Sequence, residues 1–320
     1  MTQLRWGILG CARISRRGLI PGIQGSMSNS LAAIASRNLA TAQEWAAEFS
    51  IPRAFGRYEE LIASPDIDAV YIPLPNELHK PWVFAAADAG KAILCEKPLA
   101  LDVSEASEMV DYCRAKGVLL MEAFMWRHQP RTRALFEKVR GGDIGELRLV
   151  RSSFSFPIDL SDWRLDPTRG GGALWDVGCY GVSTVRLFAG AEPDAVRSVA
   201  RFSDRGVDLS LTAEFKFPNG VIGLIDCSFE QPFRCAYELV GSTGIIEVPD
   251  AYLPPEFPVA RLRTEDGTEE LVFEGGNQYT SMVDAFANDI RNGRGLSHPS
   301  EDGLAQMIAL EAVLLAAKSF

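Results

Sequence analysis

A lysine follows a short apolar run at a point where a parallel sheet would open to ligands. Segment 95–98, Cys-Glu-Lys-Pro, comes directly after the apolar residues 92–94 and shortly before a helix start at Asp102. In open α/β sheets, ligands bind at the carboxyl ends of the strands, and charged groups held there are candidate catalytic residues. Lys97 is therefore a candidate for the chemistry. An ordinary solvated lysine before a proline is the alternative, since strand ends often carry exposed charges.

The segments around Lys97 alternate between strand and helix patterns. Asp102 with Glu105 three residues later is a helix start signal, and Gly117 is a helix stop signal. Strands that alternate with helices imply a parallel, doubly wound sheet. The predicted strands are 4–9, 31–35, 69–72, 92–95 and 118–121, and the predicted helices are 41–49, 81–89 and 102–116, with a further helix between the first two strands.

The first predicted strand ends in a glycine-containing turn. Residues 10–15, Gly-Cys-Ala-Arg-Ile-Ser, keep the spacing of GxGxxG, with alanine and serine in place of the second and third glycines. A turn that follows a strand and opens a helix places free backbone N–H groups where a pyrophosphate binds. A tight turn that needs Gly10 only for its backbone freedom is the alternative. The expected cofactor contacts here are Gly10, Ala12, Arg13 and Ile14.

The end of the second predicted strand favours NADP over NAD. This chain has Ser36 and Arg37 where a cofactor with a free ribose 2′-hydroxyl normally meets an aspartate or glutamate. A hydroxyl and a guanidinium suit a 2′-phosphate instead. A solvated Arg37 at a helix start is the alternative, and use of NAD beside NADP is left open.

The composition is that of an ordinary globular protein, with 320 residues of which 47% are hydrophobic and 23% charged. A net charge of −10 argues against nucleic acid as the main partner. Scattered cysteines without a CxxC pair predict reduced thiols, and the lack of a signal core or a long apolar run predicts a soluble, cytoplasmic protein with no membrane partner. Three histidines without paired acids at ligand spacing predict no metal.

The pattern changes from about Ala123 onward. One helix ending near Gly141 is followed by long, closely spaced strands, and segment 217–220, Phe-Pro-Asn-Gly, is typical of a hairpin turn. We predict an α/β protein with a Rossmann domain over 1–122 and an α+β domain over 123–320 that has a large, mostly antiparallel open sheet. The predicted strands are 147–156, 196–202, 209–217, 221–229 and 235–240, and the closing helices are 282–291 and 304–319.

Several motifs occur in a characteristic order along the chain. They are the Gly10 turn, segment 66–72, Pro75-Asn76-x-x-His79, Glu96-Lys97-Pro98 and segment 170–180, Gly-Gly-Gly-Ala-Leu-Trp-Asp-Val-Gly-Cys-Tyr. In this order they resemble the Gfo/Idh/MocA family of NAD(P)-dependent oxidoreductases, over essentially the whole chain. The resemblance implies further cofactor contacts at Leu74, Pro75, Asn76, His79, Glu96, Lys97, Ala123, Trp163, Arg164 and Tyr279.

Tyr180 stands where many members of the family carry a histidine, four residues after Asp176. In this respect the chain resembles the branch with glucose-fructose oxidoreductase, NADP-dependent D-xylose dehydrogenase and dimeric dihydrodiol dehydrogenase, in which tyrosine takes the acid/base position. Segment 121–127 is also similar to that branch. The substrate contacts expected from these comparisons are Lys97, Arg127, Phe154, Asp176 and Tyr180, with ordinary core packing as the alternative for Phe154.

These residue types suit hydride transfer from a carbon that carries a hydroxyl. Such a transfer needs a base within hydrogen-bond reach of the hydroxyl proton. A free tyrosine, with a pKa of about 10, is a poor base near neutral pH. A nearby ammonium lowers that pKa, which gives Lys97 a role beside Tyr180. Asp176 would orient the sugar or the lysine from the same helix face. A core tyrosine and a helix-capping aspartate are the alternatives.

We therefore expect an NAD(P)-dependent oxidoreductase that acts on CH–OH groups of an aldose or related cyclic polyol. A trans-dihydrodiol dehydrogenase or dicarbonyl reductase using the same residues is an alternative. A non-catalytic NADP(H)-binding sensor is the alternative from another class, because a fold can be reused without its chemistry. The resemblance also implies a homo-oligomer, dimer or tetramer, assembled through the C-terminal sheet.

Overall fold

The computed structural model describes residues 2–293 and 295–319, and the chain divides into two units. The first unit contains Met1–Gln129 and Gly276–Leu304, and the second contains Pro130–Gly275 and Ala305–Phe320. The predicted boundary at 122/123 stays a prediction, and the helix predicted at 282–291 lies in the first unit. Its Phe286 lies against Trp6, with ring centroids 5.4 Å apart, a long-range contact that no local pattern reveals.

The first unit contains the predicted parallel sheet. Its strands are β1 (Leu4–Leu9), β2 (Asn29–Ala35), β3 (Arg53–Phe55), β4 (Ala69–Ile72), β5 (Ala92–Cys95) and β6 (Leu120–Glu122). Their order is β3-β2-β1-β4-β5-β6, and every neighbouring pair is parallel. The doubly wound topology is confirmed, and the carboxyl ends of β1, β4 and β5 lie side by side at one edge. Only β3 was not predicted, since three residues carry no readable alternation.

The helix predicted from Asp102 begins and ends where its local signals predict. The Asp102 side chain accepts the Glu105 N–H at 2.8 Å, and Gly117 ends the same helix with φ of 66°. The α-helices are α1 (Ile20–Gln24), α2 (Leu39–Glu48), α3 (Tyr58–Ile62), α4 (His79–Asp88), α5 (Val103–Lys116), α6 (Pro130–Gly141), α7 (Cys179–Ala189), α8 (Gln278–Asn292) and α9 (Ser300–Lys318).

The second unit contains a large sheet that is antiparallel at every pairing except that of β7 with β10. The strands are β7 (Leu147–Ser155), β8 (Ala195–Phe202), β9 (Asp208–Lys216), β10 (Ile222–Ser228), β11 (Arg234–Gly241), β12 (Gly244–Val248), β13 (Val259–Thr264) and β14 (Gly267–Val272), in the order β14-β13-β12-β11-β7-β10-β9-β8. The turn at 217–220 joins β9 to β10, as predicted, with Gly220 at φ of 86°.

One face of this sheet lies under α7, the helix that carries Tyr180. A Cβ on Gly181 would lie 3.1 Å from Ile225 of β10, so the helix backbone closely approaches the sheet. Along β7, Val150, Ser152 and Phe154 are buried, while Arg151 between them is exposed. The alternation shows that the opposite face of β7 is open within this unit.

Candidate active site

The loop that carries Lys97 is held by hydrogen bonds on both sides of the lysine. The buried Tyr71 hydroxyl, at the end of β4, donates to Glu96, and the second Glu96 oxygen accepts the Lys97 N–H at 3.3 Å. On the other side, the Leu99 N–H donates to Glu122 Oε1 at 2.9 Å. The peptide bond between Lys97 and Pro98 is cis. Lys97 itself is half-buried, so its backbone is fixed while its side chain stays partly accessible.

His79 ties this loop to the neighbouring one. Its Nδ1 lies 3.1 Å from the Pro98 carbonyl oxygen and 3.2 Å from that of Leu99, and its Nε2 lies 2.8 Å from the Leu74 carbonyl oxygen. Burial lowers the pKa of His79, and the three carbonyls act in the opposite sense. Both ring nitrogens therefore face backbone oxygens. A direct cofactor contact stays a prediction, but the structure gives His79 the role of positioning Leu74 and the Lys97 loop.

The glycine turn after β1 meets the end of β2 and the loop after β4. Gly10 has φ of 103°, and a Cβ there would lie 2.9 Å from Leu74 Cδ2 and 3.4 Å from the Tyr58 hydroxyl. The turn is therefore closed to any larger residue, and the predicted contacts Gly10 and Leu74 lie together. Ser15, in the following helical turn, is buried, and its hydroxyl has no hydrogen-bond partner within the part of the chain that the structure describes.

Ser36 and Arg37 follow β2 and lie beside the glycine turn. Each has a neighbour that the sequence did not indicate. Ser36 lies near enough to the Cys11 thiol, and Arg37 near enough to the Tyr58 hydroxyl, to lower the pKa of each. Burial raises the pKa of Cys11 to about 11, so the thiol stays protonated at neutral pH. Burial also raises the pKa of Tyr58, while Arg37 acts to lower it. Neither partner belongs to a motif, and only the folded turn reveals them.

The other predicted residues of the first unit are buried around these loops. The Ala123 N–H donates to the Cys95 carbonyl at 2.7 Å, directly beside the Lys97 loop, and Asn76 is buried in a 3₁₀ turn. A Cβ on Gly18 would lie 2.4 Å from the Tyr279 ring, which therefore packs on the helix after the glycine turn. Arg127 is buried and forms an ion pair with Asp302, so its predicted substrate contact stays a prediction.

Tyr180 lies in an aromatic cluster of the second unit. Its ring centroid is 5.4 Å from that of Phe154 and 4.8 Å from that of Tyr252. The Tyr252 hydroxyl is paired with Ser152 at 2.6 Å and with Thr184 at 2.7 Å, and burial raises its pKa. The predicted pair Phe154 and Tyr180 is thus in contact, and Tyr252 is a member of the cluster that the sequence did not indicate.

Asp176 is held by Arg164 rather than capping a helix. The Arg164 Nε lies 3.0 Å from Asp176 Oδ2, and its Nη1 lies 3.1 Å from Asp162 Oδ2. Burial acts to lower the pKa of Arg164, but the two carboxylates outweigh it and the pKa is raised. A π-helical turn begins at Leu174, and α7 continues it from Cys179, so Asp176 and Tyr180 lie in one continuous helical segment.

Trp163 lies between two guanidinium groups in the loop before this helix. Arg164 and Arg169 lie 5.3 and 5.1 Å from its ring centroid. The cofactor contacts predicted for Trp163 and Arg164 stay predictions, and the structure shows instead that Arg164 orients Asp176.

Neither a metal centre nor a membrane span is found within residues 2–293 and 295–319. These residues contain no group of three or more histidine, cysteine, aspartate or glutamate side chains that could hold a metal ion. None of their helices is both long enough and apolar enough to cross a bilayer.

Comparison with known proteins assigns both units. A family described as "Oxidoreductase family, NAD-binding Rossmann fold" matches residues 4–124, and the "GFO/IDH/MocA C-terminal domain" matches residues 132–247. D-xylose 1-dehydrogenase (NADP(+)) 2 of Haloferax volcanii is 37% identical over 320 residues, which cover 99% of this chain and 98% of that protein. Trans-1,2-dihydrobenzene-1,2-diol dehydrogenase of Mus musculus is 35% identical over 264 residues, covering 82% of this chain and 79% of that protein.

A solved structure is similar over the same length. The crystal structure of a 3-ketoreductase from Actinomadura kijaniata in complex with NADP and TDP-benzene has a TM-score of 0.92 and 34% identity, and covers 98% of both chains. Sequence similarity, the order of the motifs and the fold of each unit agree. The chain therefore belongs to the Gfo/Idh/MocA family of oxidoreductases.

Proposed function

We propose that this chain is an NADP-preferring oxidoreductase that interconverts a hydroxyl and a carbonyl group on an aldose or related cyclic polyol. Tyr180 is the acid/base, Lys97 tunes it, and Asp176 orients the substrate. The observation that carries the proposal is the full-length similarity to a D-xylose dehydrogenase, together with Tyr180 in place of the family's common histidine. Solved variants of the Actinomadura 3-ketoreductase in which a tyrosine or a lysine is replaced point to the same two residue types in that protein.

The residues around the glycine turn fit a dinucleotide with a 2′-phosphate. Gly10 takes a backbone conformation with φ of 103° that keeps the turn tight, Ser15 holds a buried hydroxyl without a hydrogen-bond partner among the described residues, and Arg37 supplies a cation beside Ser36. The cofactor would supply the hydride acceptor or donor, so no metal is needed. Gly10, Leu74 and the turn after β1 would hold the pyrophosphate, and Ser36 with Arg37 would hold the 2′-phosphate.

The ion pair between Arg164 and Asp176 distinguishes the proposed roles of Tyr180 and Asp176. The guanidinium already engages one Asp176 oxygen at 3.0 Å, so proton transfer to that oxygen would break an ion pair. Asp176, held in its ionised form by this pair, is then an acceptor that orients a sugar hydroxyl. Tyr180 is left as the group that removes the hydroxyl proton in oxidation and returns it in reduction. The aromatic faces of Phe154 and Tyr180 suit the apolar face of a sugar ring.

The test of the proposal is reduction of NADP⁺ and NAD⁺ by the purified protein with a panel of aldoses, inositols and trans-dihydrodiols. We expect turnover with at least one aldose or cyclic polyol and a higher kcat/KM with NADP⁺ than with NAD⁺. The similarity to a dihydrodiol dehydrogenase favours a second candidate, for which turnover would be confined to the dihydrodiols. Tight NADPH binding without turnover on any substrate would contradict both and favour a sensor.

Replacing Arg37 by alanine is expected to reverse the cofactor preference. Loss of a charge-assisted contact of about 1.5–3 kcal/mol raises the KM for NADP⁺ by about 10- to 100-fold and leaves the KM for NAD⁺ within about 2-fold. The measurement is steady-state kinetics with each cofactor at saturating substrate. Arg57→Ala is the matched control, because that arginine is exposed at the start of α3. An equal effect of Arg37→Ala on both cofactors would contradict the 2′-phosphate assignment.

We also propose that copies of the chain associate through the open face of the second sheet. Leu149, Ile222 and Val240 are aligned across three neighbouring strands on that face, and Ile222 is 42% exposed. Light scattering is expected to show a dimer or tetramer, and Ile222→Asp is expected to shift it toward monomer. Met27→Asp, at an exposed methionine of the first unit, is the control. A wild-type monomer at micromolar concentration would contradict the proposal.

A further inference from the structure

A buried carboxylate lies beneath the glycine turn that precedes Tyr180. Asp208, the first residue of β9, is 3% exposed. Its Oδ2 accepts the Leu174 N–H at 2.6 Å, and the Ala173 N–H lies near enough to the carboxylate to lower its pKa. These N–H groups belong to the first turn of the helical segment that contains Asp176 and Tyr180. They have no acceptor within the helix, so a group from outside the helix must accept their hydrogen bonds.

The triple glycine is explained by what surrounds it. Gly172 has φ of 133°, and a Cβ there would lie 2.2 Å from Asp208 Oδ1. A Cβ on Gly171 would lie 2.4 Å from the Arg164 carbonyl oxygen, which also accepts the Gly172 N–H at 2.9 Å. The turn is thus enclosed by the Asp208 carboxylate and by the backbone of the loop whose Arg164 side chain holds Asp176. Only glycine fits between them.

We infer that Asp208 is a positioning residue, which fixes the start of the helical segment and thereby the direction of Asp176 and Tyr180. The inference rests on the proposed function, since it assigns Asp208 to the support of a proposed acid/base. Asp208 touches no reacting atom. It acts through the Leu174 N–H, which lies two residues before Asp176 and six residues before Tyr180. A displacement of a catalytic side chain by about 1 Å can lower the rate by about 100-fold.

The environment of Asp208 makes this support dependent on pH. Burial raises the pKa of Asp208 to about 7, although the Leu174, Asp208 and Ala173 N–H groups oppose the rise. The titratable groups that act on it are the Lys318 ammonium of α9, which lowers its pKa, and the buried Cys227 thiol of β10, whose own pKa is raised by burial and by Asp208. The carboxylate therefore gains its proton as the pH falls through about 7.

Two opposite pH dependences follow from that titration. A carboxyl group whose pKa is higher in the folded than in the unfolded state contributes stability at low pH that is lost as the pH rises from about 4 to above 7. The ionised form is the better acceptor for backbone N–H groups, so the order of the turn, and with it kcat, should rise as the pH passes through about 7. A group with a merely structural role would not couple falling stability to rising activity.

The variant Asp208→Asn tests the inference. It keeps one acceptor oxygen and removes the titration, so we expect kcat to fall about 10-fold or more, the KM for NADP⁺ to stay within about 2-fold, and the acid limb of kcat near pH 7 to disappear. Asp208→Glu should restore the acid limb. Asp204→Asn, an exposed aspartate in the loop before β9, is the matched control and should behave as wild type.

An unchanged kcat and an unchanged acid limb in folded Asp208→Asn would overturn the inference, and an inactive Tyr180→Phe in the same assay would show that the proposed function still stands. If Asp208→Asn does not fold, hydrogen exchange of the wild-type peptide spanning 170–180 decides. Protection that rises with a midpoint near pH 7, after correction for the intrinsic rate, supports the inference. Protection independent of pH overturns it.

Discussion

Tyr180→Phe is expected to lower kcat by about 10²- to 10⁴-fold in both directions, the range that a positioned acid/base contributes. The substitution removes one hydroxyl and leaves the ring in contact with Phe154 and Tyr252, so the fold should be retained. The KM for NADP⁺ should change by less than about 2-fold, because the cofactor contacts lie in the first unit. The measurement is steady-state oxidation and reduction of the best substrate from the panel.

Tyr112→Phe is the matched control for this substitution. The Tyr112 hydroxyl is exposed on α5, in the first unit, and donates to Asp88 at 2.8 Å. Tyr112 is not among the predicted cofactor or substrate contacts. The same chemical change there should leave kcat within about 2-fold. If Tyr180→Phe keeps more than a tenth of the wild-type kcat, tyrosine is not the acid/base, and Asp176, with its ion pair to Arg164, becomes the group to test next.

The parts of the fold that could be predicted are those encoded by neighbouring residues. Helix α5 was predicted because Asp102 and Gly117 act within one turn of its ends. Strand β14 was missed because most of its residues are exposed, so it lacks the apolar alternation that marks a strand. Helix α8 packs within the first unit through the contact between Phe286 and Trp6, which joins residues far apart in sequence and could not be predicted from a local pattern.

In the candidate site, too, local features could be predicted and long-range contacts could not. Lys97, Gly10 and Arg37 could be predicted as site residues because they follow apolar runs of the predicted sheet, and strand ends can be located from local patterns. Tyr71, Tyr58 and Cys11 could not be predicted as neighbours of Glu96, Arg37 and Ser36, because only the folded sheet edge brings them together. Asp208 was missed for the same reason. A buried acid within a strand pattern is the signal that could have identified it.

The final test concerns Lys97, whose loop is fixed on both sides. Tyr71 holds Glu96 before it, and Glu122 holds Leu99 after it, so replacing the lysine should change the charge without moving the backbone. Lys97→Met is expected to lower kcat by about 10²-fold or more at neutral pH and to move the pH at which activity rises upward, because an ammonium stabilises a phenolate. Lys97→Arg should restore part of that shift.

The pH profile separates tuning of a tyrosine from binding of a substrate. If Lys97 only binds substrate, Lys97→Met raises the KM for substrate and leaves the shape of the kcat profile unchanged. If it tunes Tyr180, the double variant with Tyr180→Phe loses little more than Tyr180→Phe alone, since residues that act as one unit are not additive. Lys116→Met, which removes an exposed ion pair between the end of α5 and Asp88 of α4, is the control and should leave the kcat profile unchanged. An additive loss in the double variant would show that Lys97 and Tyr180 act independently.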